Sequence, residues 1–267
     1  MDKKDLIEKI TSEVIAKLKS EEYIESVSQS SPRSKYNNDS QRNNEIIPNI
    51  HSPADLAKYI DHTLLKPEAK EEQVKKLCDE AIQYKFYSVC INSAWTEYCA
   101  RKLRGTDVKV TTVVGFPLGA MDSQTKKYET RNAIENGADE IDMVINIGAL
   151  RNGDIKTVEQ DLRAVLLACR RNTVTKAIIE TCLLNEYEKV LASELVKKVG
   201  YDFVKTSTGF SSAGATANDI VLIRKIVGPK MGIKAAGGIG TFEDAMLMIK
   251  SGATRLGCSK SVQIVTS

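Results

Sequence analysis

DFVKTST (202–208), MGIKAAGG (231–238) and TRLGCS (254–259) are three short apolar runs near the C-terminus of the chain. A longer segment with helical periodicity, TFEDAMLMIKSG (241–252), joins the second run to the third and ends in glycine, as helices commonly do. Apolar runs that alternate with helical segments are typical of parallel strands joined by crossover helices. This part of the chain is therefore predicted to fold as consecutive β–α units.

The same alternation extends toward the N-terminus. Five further strands are predicted, at AKYIDHT (57–63), FYSVCIN (86–92), VKVTTVVGF (108–116), EIDMVIN (140–146) and TKAIIET (175–181). Helical segments between them include EEQVKKLCDEAIQ, SQTKKYETRNAIENG and TVEQDLRAVLLACRR. Eight units predict an α/β fold, a (β/α)8 TIM barrel, with a short final helix in SVQIVTS (261–267). An open doubly wound sheet is the structural alternative, but eight units of similar period favour closure.

The first fifty residues differ from the rest in composition. Residues 1–24 are predicted to form one amphipathic helix, because apolar residues recur at spacings of three and four. These residues are Ile7, Ile10, Val14 and Leu18. Most of residues 25–51 are polar or charged and cannot bury enough apolar surface to offset their ordering entropy, so a disordered linker is expected. The barrel domain is expected to occupy residues 52–267.

Composition excludes several classes of protein. The 267 residues include 38 Lys+Arg and 35 Asp+Glu, and a net charge of +3 gives no indication of nucleic-acid binding. No apolar run approaches the roughly 18–20 residues that cross a bilayer, so no membrane association is expected. Six cysteines without a C-x-x-C pair and two histidines predict no metal site. The N-terminus lacks the apolar core of a secretory signal, so a cytoplasmic protein with reduced thiols is expected.

Ionisable residues interrupt four of the predicted strands. They are Asp61, Asp142, Lys205 and Lys234. Lysine is almost never fully buried without a partner, and the active site of a barrel lies at the C-terminal ends of its strands. Any one of these residues could face outward or form a structural ion pair. Two lysines on consecutive strands, with an aspartate two strands earlier, indicate a shared site instead.

This set of residues suits Schiff-base chemistry. A lysine attacks a carbonyl only as the free amine, so the pKa of such a lysine must fall from about 10.4 toward neutrality. A second ammonium group lowers it by repulsion, and an apolar wall lowers it by desolvation. The iminium then draws electrons from a neighbouring C–C bond, while a carboxylate such as Asp142 relays protons.

Glycines mark the ends of the last three strands, with a serine and a lysine after the eighth. They are Gly209, Gly237, Gly238 and Gly257, followed by Ser259 and Lys260. In TIM barrels the loops after strands 7 and 8 commonly bind phosphate through backbone N–H groups. Each glycine alone could be an ordinary turn residue, but the group predicts a phosphate site.

Seven motifs together resemble the deoxyribose-phosphate aldolase family of class I aldolases. They are IDHTLLKP (60–67), VGFPLG (114–119), ADEIDMVINIGAL (138–150), IIETCLL (178–184), DFVKTSTGF (202–210), IKAAGGIGT (233–241) and the GCS of strand 8. The resemblance extends from Pro53 to Val265. It implies a lyase that reversibly cleaves 2-deoxy-D-ribose 5-phosphate to D-glyceraldehyde 3-phosphate and acetaldehyde, with no metal and no organic cofactor. A homo-oligomer, dimer or tetramer, is expected.

The resemblance gives each matching residue a role. Lys205 would form the Schiff base, Lys234 would perturb it electrostatically, and Asp142 would relay protons. The residues expected to bind the substrate are Asp61, Thr63, Cys90, Thr208, Gly209, Gly237, Gly238, Gly257, Ser259 and Lys260.

Two departures from the family's pattern concern the phosphate. The family commonly has a basic residue after GGI, where this chain has Gly240. It usually has two serines near the end of strand 8, where this chain has Ser259 and Lys260. One cation is lost and another is gained on adjacent loops, so Lys260 is expected to supply the charge that Gly240 does not.

Other interpretations differ in enzyme class or in the absence of activity. Transaldolases and dihydrodipicolinate-type lyases share the Schiff-base lysine but lack the paired-lysine motifs. A binding or scaffold protein with an inactive barrel is disfavoured, because all three catalytic positions retain the required residue types.

The N-terminal helix is predicted to serve in targeting or docking. Its pattern is similar to the encapsulation peptides that carry enzymes into bacterial microcompartments, and such a compartment suits an enzyme that releases volatile, reactive acetaldehyde. The expected partner of residues 1–24 is a microcompartment shell protein, and the location is then the microcompartment lumen. The alternative is that the helix packs on the protein's own barrel.

Overall fold

The computed structural model describes residues 50–267, which form a closed barrel of eight parallel strands. Each strand pairs with the next along the chain, and β8 pairs with β1. The predicted (β/α)8 barrel is confirmed, and the open sheet is excluded. The strands are β1 (Ile60–Leu64), β2 (Ser88–Ile91), β3 (Lys109–Val114), β4 (Glu140–Val144), β5 (Val174–Ile178), β6 (Phe203–Lys205), β7 (Gly232–Ala236) and β8 (Arg255–Cys258).

Helices connect the strands and surround the barrel. They are α1 (Glu71–Tyr84), α2 (Thr96–Lys102), α3 (Ser123–Glu135), α4 (Ile147–Arg151), α5 (Ile155–Ala168), α6 (Glu186–Val199), α7 (Ala217–Val227), α8 (Phe242–Lys250) and α9 (Ser261–Thr266), with 3₁₀ helices at Pro53–Tyr59, Ser93–Trp95 and Thr181–Leu183. The final helix α9 is short, as predicted. In the described part of the chain, no helix combines the length and apolar character needed to span a bilayer.

The predicted N-terminal helix (1–24) lies outside the described residues. The same holds for the predicted linker (25–51) up to its last two residues. Ile50 packs against the hydrophobic core, and the His51 N–H donates to Asp55 Oδ2 at 2.9 Å. These two residues therefore already belong to the folded part of the chain.

Side-chain caps fix where helices begin. Thr241 Oγ1 accepts from the Asp244 N–H at 3.1 Å, and the Asp244 carboxylate accepts from the Thr241 N–H at the start of α8. Asn185 and Glu188 form the same reciprocal pair before α6. At its other end α6 stops at Gly200, whose φ of 97° is a left-handed conformation that glycine adopts without steric cost. These local signals set where the helices begin and end.

All eight strands differ by a few residues from their predicted bounds, and the differences at β1 and β6 have identifiable causes. The predicted first strand (57–63) begins late, because Pro53–Tyr59 form a 3₁₀ helix whose first residue is a proline, which suits the first turn of a helix. Strand β6 is shorter than the predicted run (202–208) because the Thr208 N–H donates to the Glu180 carboxylate at 3.1 Å instead of to a neighbouring strand.

The pairing register aligns charged residues on the inner face of the barrel. Lys205 on β6 is opposite Lys234 on β7, and Asp142 on β4 is opposite Lys176 on β5. Lys234 is also opposite Arg255 on β8. Residues paired in this way point to the same face of the sheet. The barrel therefore has a buried charged layer inside, while the apolar core lies between strands and helices.

A buried ion pair supports the end of β4. Lys126 Nζ on α3 lies 2.6 Å from Asp161 Oδ2 on α5. Lys126 Nζ also donates to the Val144 carbonyl at 2.8 Å, and Asp161 accepts from the Asn146 N–H at 3.1 Å. Removing one partner of a buried pair typically costs about 3–5 kcal/mol. The pair therefore fixes the chain just beyond Asp142.

Candidate active site

Three lysine side chains converge on the Asp142 carboxylate inside the barrel. Lys205 Nζ lies 2.8 Å and Lys234 Nζ lies 2.7 Å from the same oxygen, Oδ2. Lys176 Nζ lies 2.7 Å from the other oxygen, Oδ1. All four side chains are buried. The structure thus brings the predicted catalytic lysines, Lys205 and Lys234, together at the carboxylate of Asp142, the third predicted catalytic residue.

Further charged groups extend this cluster deeper into the barrel. Lys234 also contacts Asp61, and Lys176 Nζ lies 2.5 Å from Glu140 Oε2. Arg255 bridges the carboxylates of Asp61 and Glu140, with its Nη1 at 2.9 Å from Asp61 Oδ1 and 3.2 Å from Glu140 Oε2. The network has four cations and three carboxylates, which leaves one positive charge in excess when every group is ionised. Within residues 50–267, no group of His, Cys, Asp and Glu side chains is placed to hold a metal ion.

The pKa values of this cluster follow from burial and from these contacts. Burial alone would raise the pKa of Asp142, but the charges of Lys176, Lys205 and Lys234 hold it well below its ordinary value. Burial alone would lower the pKa of Lys234, but the Asp142 and Asp61 carboxylates raise it above its ordinary value. At neutral pH the carboxylate is therefore ionised, and Lys234 is a permanent ammonium group beside Lys205.

Three charged members of the network were not predicted from the sequence. They are Glu140, Lys176 and Arg255, and each lies within a run that was predicted as a strand. Glu140 is two residues before Asp142, Lys176 is opposite Asp142, and Arg255 is opposite Lys234. Because alternate residues of a strand share a face, the spacing from Asp142 could have identified Glu140 from the sequence, whereas Lys176 and Arg255 join the network through the pairing register.

Predicted substrate-binding residues on β1 and β2 lie in the same interior. The Asp61 carboxylate is already paired with two cations. Thr63 is half-buried, and its hydroxyl donates to the Asp61 carbonyl at 2.7 Å. Cys90 is fully buried, and burial raises the pKa of its thiol against the opposing effect of Lys234 and Lys205. The Cys90 side chain is therefore a neutral thiol at neutral pH.

The Thr208 hydroxyl is occupied by contacts within the protein. It donates to the Glu180 carboxylate and accepts from the Phe210 N–H at 3.1 Å. Glu180 is buried and has a φ of 54°, a left-handed conformation that is uncommon outside glycine. The Glu180–Thr208 pair therefore anchors the loop after β6.

The loops after β6 and β7 approach each other at glycine. A Cβ at Gly214 would lie 2.1 Å from the Gly237 carbonyl oxygen, so no side chain fits there. Gly209, Gly237 and Gly238 have φ values of 83°, 84° and 80°, in the left-handed region that favours glycine. The N–H groups of Gly209 and Gly238 have no hydrogen-bond partner within residues 50–267. They are donors that an anion at the mouth of the barrel could use.

Lys260 lies beside position 240. A Cβ at Gly240 would lie 3.8 Å from Lys260 Nζ. Ser259 and Lys260 are both exposed, and Lys260 has no ion-pair partner in the described part of the chain. Gly257 has a different role, since a Cβ there would lie 3.1 Å from Lys234 Cε. The absence of a side chain at Gly257 makes room for the buried lysine.

The barrel matches known aldolases over most of its length. A model of the DeoC/LacD family of aldolases matches residues 56–259. The chain belongs to this family. Members of the DeoC/LacD family are aldolases, so the chain is a lyase.

Several similar proteins are deoxyribose-phosphate aldolases. The deoxyribose-phosphate aldolase of Streptococcus gordonii is 58% identical over 210 residues, which cover 79% of this chain and 95% of the relative. That of Clostridium perfringens is 58% identical over 209 residues, covering 78% and 93%. The solved tetrameric deoxyribose phosphate aldolase from Aeropyrum pernix matches with a TM-score of 0.77 at 33% identity, covering 82% of this chain and 92% of that one.

Proposed function

We propose that the chain is a deoxyribose-phosphate aldolase. It cleaves 2-deoxy-D-ribose 5-phosphate reversibly to D-glyceraldehyde 3-phosphate and acetaldehyde through a Schiff base on Lys205. The observation that carries this proposal is that Lys205 and Lys234 share one oxygen of the buried Asp142 carboxylate. Relatives of this name at 58% identity support the choice of substrate.

Lys205 is the lysine best placed to act as a nucleophile. It contacts one carboxylate, whereas Lys176 and Lys234 each contact two. Because the network has one excess positive charge, one amine can lose its proton without leaving a carboxylate unpaired. Lys205 is the lysine that is least engaged in ion pairs with carboxylates. Lys205 is also the C-terminal residue of β6, at the end of the barrel where active sites lie.

The reaction follows from this arrangement. The Lys205 amine attacks aldehyde carbon C1 of the open-chain substrate, and loss of water gives an iminium. The C2–C3 bond breaks with its electrons moving toward the iminium nitrogen, and the C3 hydroxyl loses its proton to become the carbonyl of D-glyceraldehyde 3-phosphate. Protonation of C2 and addition of water then release acetaldehyde. Asp142 accepts and returns protons, since its Oδ2 lies 2.8 Å from Lys205 Nζ.

The proposal is tested with the purified full-length protein. Acetaldehyde formed from 2-deoxy-D-ribose 5-phosphate is reduced by an added alcohol dehydrogenase, and the loss of NADH absorbance is followed. We expect NADH loss that requires both the protein and the sugar phosphate. Absence of acetaldehyde under conditions where the Streptococcus gordonii enzyme is active would contradict the proposal.

Two proposals concern the assembly and location of the enzyme. We propose that it forms a homo-oligomer, a dimer or a tetramer, because the relative from Aeropyrum pernix is tetrameric. We also propose that residues 1–24 dock on a microcompartment shell protein. The docking proposal is supported by the regularly spaced apolar residues of the segment and by the reactivity of acetaldehyde.

Lys260 is proposed to bind the phosphate. Its ammonium lies beside Gly240, and the free N–H groups of Gly209 and Gly238 follow neighbouring strands at the same mouth of the barrel. Charge-assisted hydrogen bonds contribute about 1.5–3 kcal/mol, so Lys260→Ser is expected to raise the KM for deoxyribose 5-phosphate about tenfold or more. Steady-state kinetics with phosphorylated and unphosphorylated deoxyribose measure the effect.

The comparison of the two substrates separates phosphate binding from general damage. The KM for unphosphorylated deoxyribose should change little in Lys260→Ser. Lys230→Ser is the matched control, because Lys230 is exposed and precedes β7 at the opposite end of the barrel. Equal effects of Lys260→Ser on both substrates would show that Lys260 does not bind the phosphate.

Deleting residues 1–45 tests the proposed role of the N-terminal segment. We expect the truncated enzyme to keep its kcat, because every charged residue of the site lies beyond Pro53. We expect it to lose co-purification with shell proteins when both are expressed together. Loss of thermal stability or of the oligomeric state would show instead that the segment packs on the enzyme.

A further inference from the structure

Two phenylalanine rings meet at the mouth of the barrel. Phe116 follows β3 by two residues, and Phe210 follows β6 by five. Their ring centroids are 5.2 Å apart and their planes make an angle of 86°, which is an edge-to-face contact. Strands β3 and β6 are not neighbours, because β4 and β5 lie between them. The pair, which we call the aromatic bridge, therefore crosses the mouth beyond the ends of β4 and β5.

Phe116 also covers an apolar wall inside the barrel. This wall consists of Leu65, Cys90 and Val113, a buried cluster separate from the main core. Val113 is opposite Asp142 in the pairing of β3 with β4, so both side chains face the interior. Cys90 lies close enough to Lys205 for the lysine's charge to lower the pKa of the thiol. The apolar wall therefore borders the lysine pocket on the side of β1 to β3.

Both loops that carry the rings are tethered to carboxylates. The Phe210 N–H bonds to a threonine hydroxyl that is held by the buried Glu180. On the other side, the Gly115 N–H donates to Glu129 Oε2 at 2.9 Å, one residue before the first ring. These hydrogen bonds fix the backbone from which each ring projects.

The mouth of the barrel is thus divided into two sectors of opposite character. The sector after β6 to β8 presents the free N–H groups of Gly209 and Gly238 and the unpaired ammonium of Lys260. The sector of β1 to β3 presents the apolar wall beneath Phe116. A phosphorylated sugar has its charge at one end and its aldehyde at the other. The division therefore orients the aldehyde carbons toward the apolar wall.

We propose that the aromatic bridge sets the size of the donor aldehyde. The terminal carbon (C2) of the enamine on Lys205 packs against the apolar wall, and Phe116 closes the space into which a longer chain would extend. Phe116 contacts the donor, whereas Phe210 is a positioning residue that holds the Phe116 ring in place. This inference rests on the proposed function, because it concerns the aldehyde bound to Lys205.

The test compares how fast two donors are trapped on the same lysine. The full-length enzyme is incubated with cyanoborohydride and either acetaldehyde or butanal, and the reduced adduct is followed by intact-protein mass spectrometry. One methylene in an apolar pocket is worth about tenfold or more, so Phe116→Ala is expected to raise the butanal-to-acetaldehyde ratio of trapping rates at least tenfold. Phe210→Ala should raise the same ratio by a smaller factor.

The control variant and the donor ratio separate size selection from general damage. Leu118→Ala is the matched control, since Leu118 is on the same loop as Phe116, is 74% exposed and lies outside the apolar wall. It should keep the wild-type ratio. If Phe116→Ala does not fold, Phe210→Ala still tests the inference, because truncating a half-exposed side chain should leave the fold intact. An unchanged ratio in the folded phenylalanine variants would overturn this inference but leave the proposed function intact. A wild-type enzyme that traps no acetaldehyde overturns the proposed function, and the inference with it.

Discussion

Lys205→Ala is expected to lose essentially all turnover of deoxyribose 5-phosphate. No other residue supplies an amine at this position, because Lys176 and Lys234 are each held by two carboxylates. Loss of the nucleophile in a covalent mechanism typically costs about 10⁴-fold or more in kcat. The coupled acetaldehyde assay measures it.

Loss of activity in Lys205→Ala should not reflect loss of the fold. Asp142 keeps its contacts with Lys176 and Lys234, so no buried carboxylate is left unpaired. Circular dichroism and the melting temperature should stay close to those of the wild type. Turnover well above a trace in the folded variant would place the Schiff base on another lysine.

Lys234→Leu is expected to be severely impaired at neutral pH and to recover partly in alkaline solution. Removing this ammonium group takes away the excess positive charge of the network, so Lys205 is then needed as a cation beside Asp142. A protonated amine cannot attack the aldehyde. The measurement is the pH dependence of kcat/KM, whose rising limb should move to higher pH.

The pH profile distinguishes an electrostatic role of Lys234 from a packing role. Lys109→Leu is the control for loss of one positive charge, because Lys109 is exposed at the start of β3. It should leave the profile in place. A Lys234→Leu enzyme that is slow at every pH, with an unshifted profile, would count against the role assigned to Lys234.

The barrel could be predicted because strand-like and helix-like segments alternate along the sequence. Buried parallel strands are continuous apolar runs, and each is followed by a helix with its own cap and its own end, such as the Thr241 cap of α8. Charged residues inside such runs, among them Lys205 and Lys234, were conspicuous for the same reason. The spacing of apolar residues and the presence of a charge inside an apolar run can be recognised in the sequence without knowing which residues contact each other.

Beyond the shared site of Asp142, Lys205 and Lys234, contacts across the barrel could not be predicted in this way. Lys176 and Arg255 belong to the charged layer through a register between strands that the sequence does not state. The left-handed Glu180 and the edge-to-face contact of Phe116 with Phe210 depend on loops from different strands meeting at one place. Such contacts are fixed by the closure of the barrel, so they become visible only in three dimensions.

Trapping of the Schiff base is the measurement that tests the central claim most directly. The full-length enzyme is treated with acetaldehyde and borohydride, digested, and sequenced by mass spectrometry. Hydride addition to the iminium should leave an ethyl group on Lys205, next to the Asp142 carboxylate, and Lys205→Ala should acquire none. An ethyl group that is absent in the wild type, or found instead on Lys234 or Lys260, would contradict the assignment of Lys205 as the nucleophile.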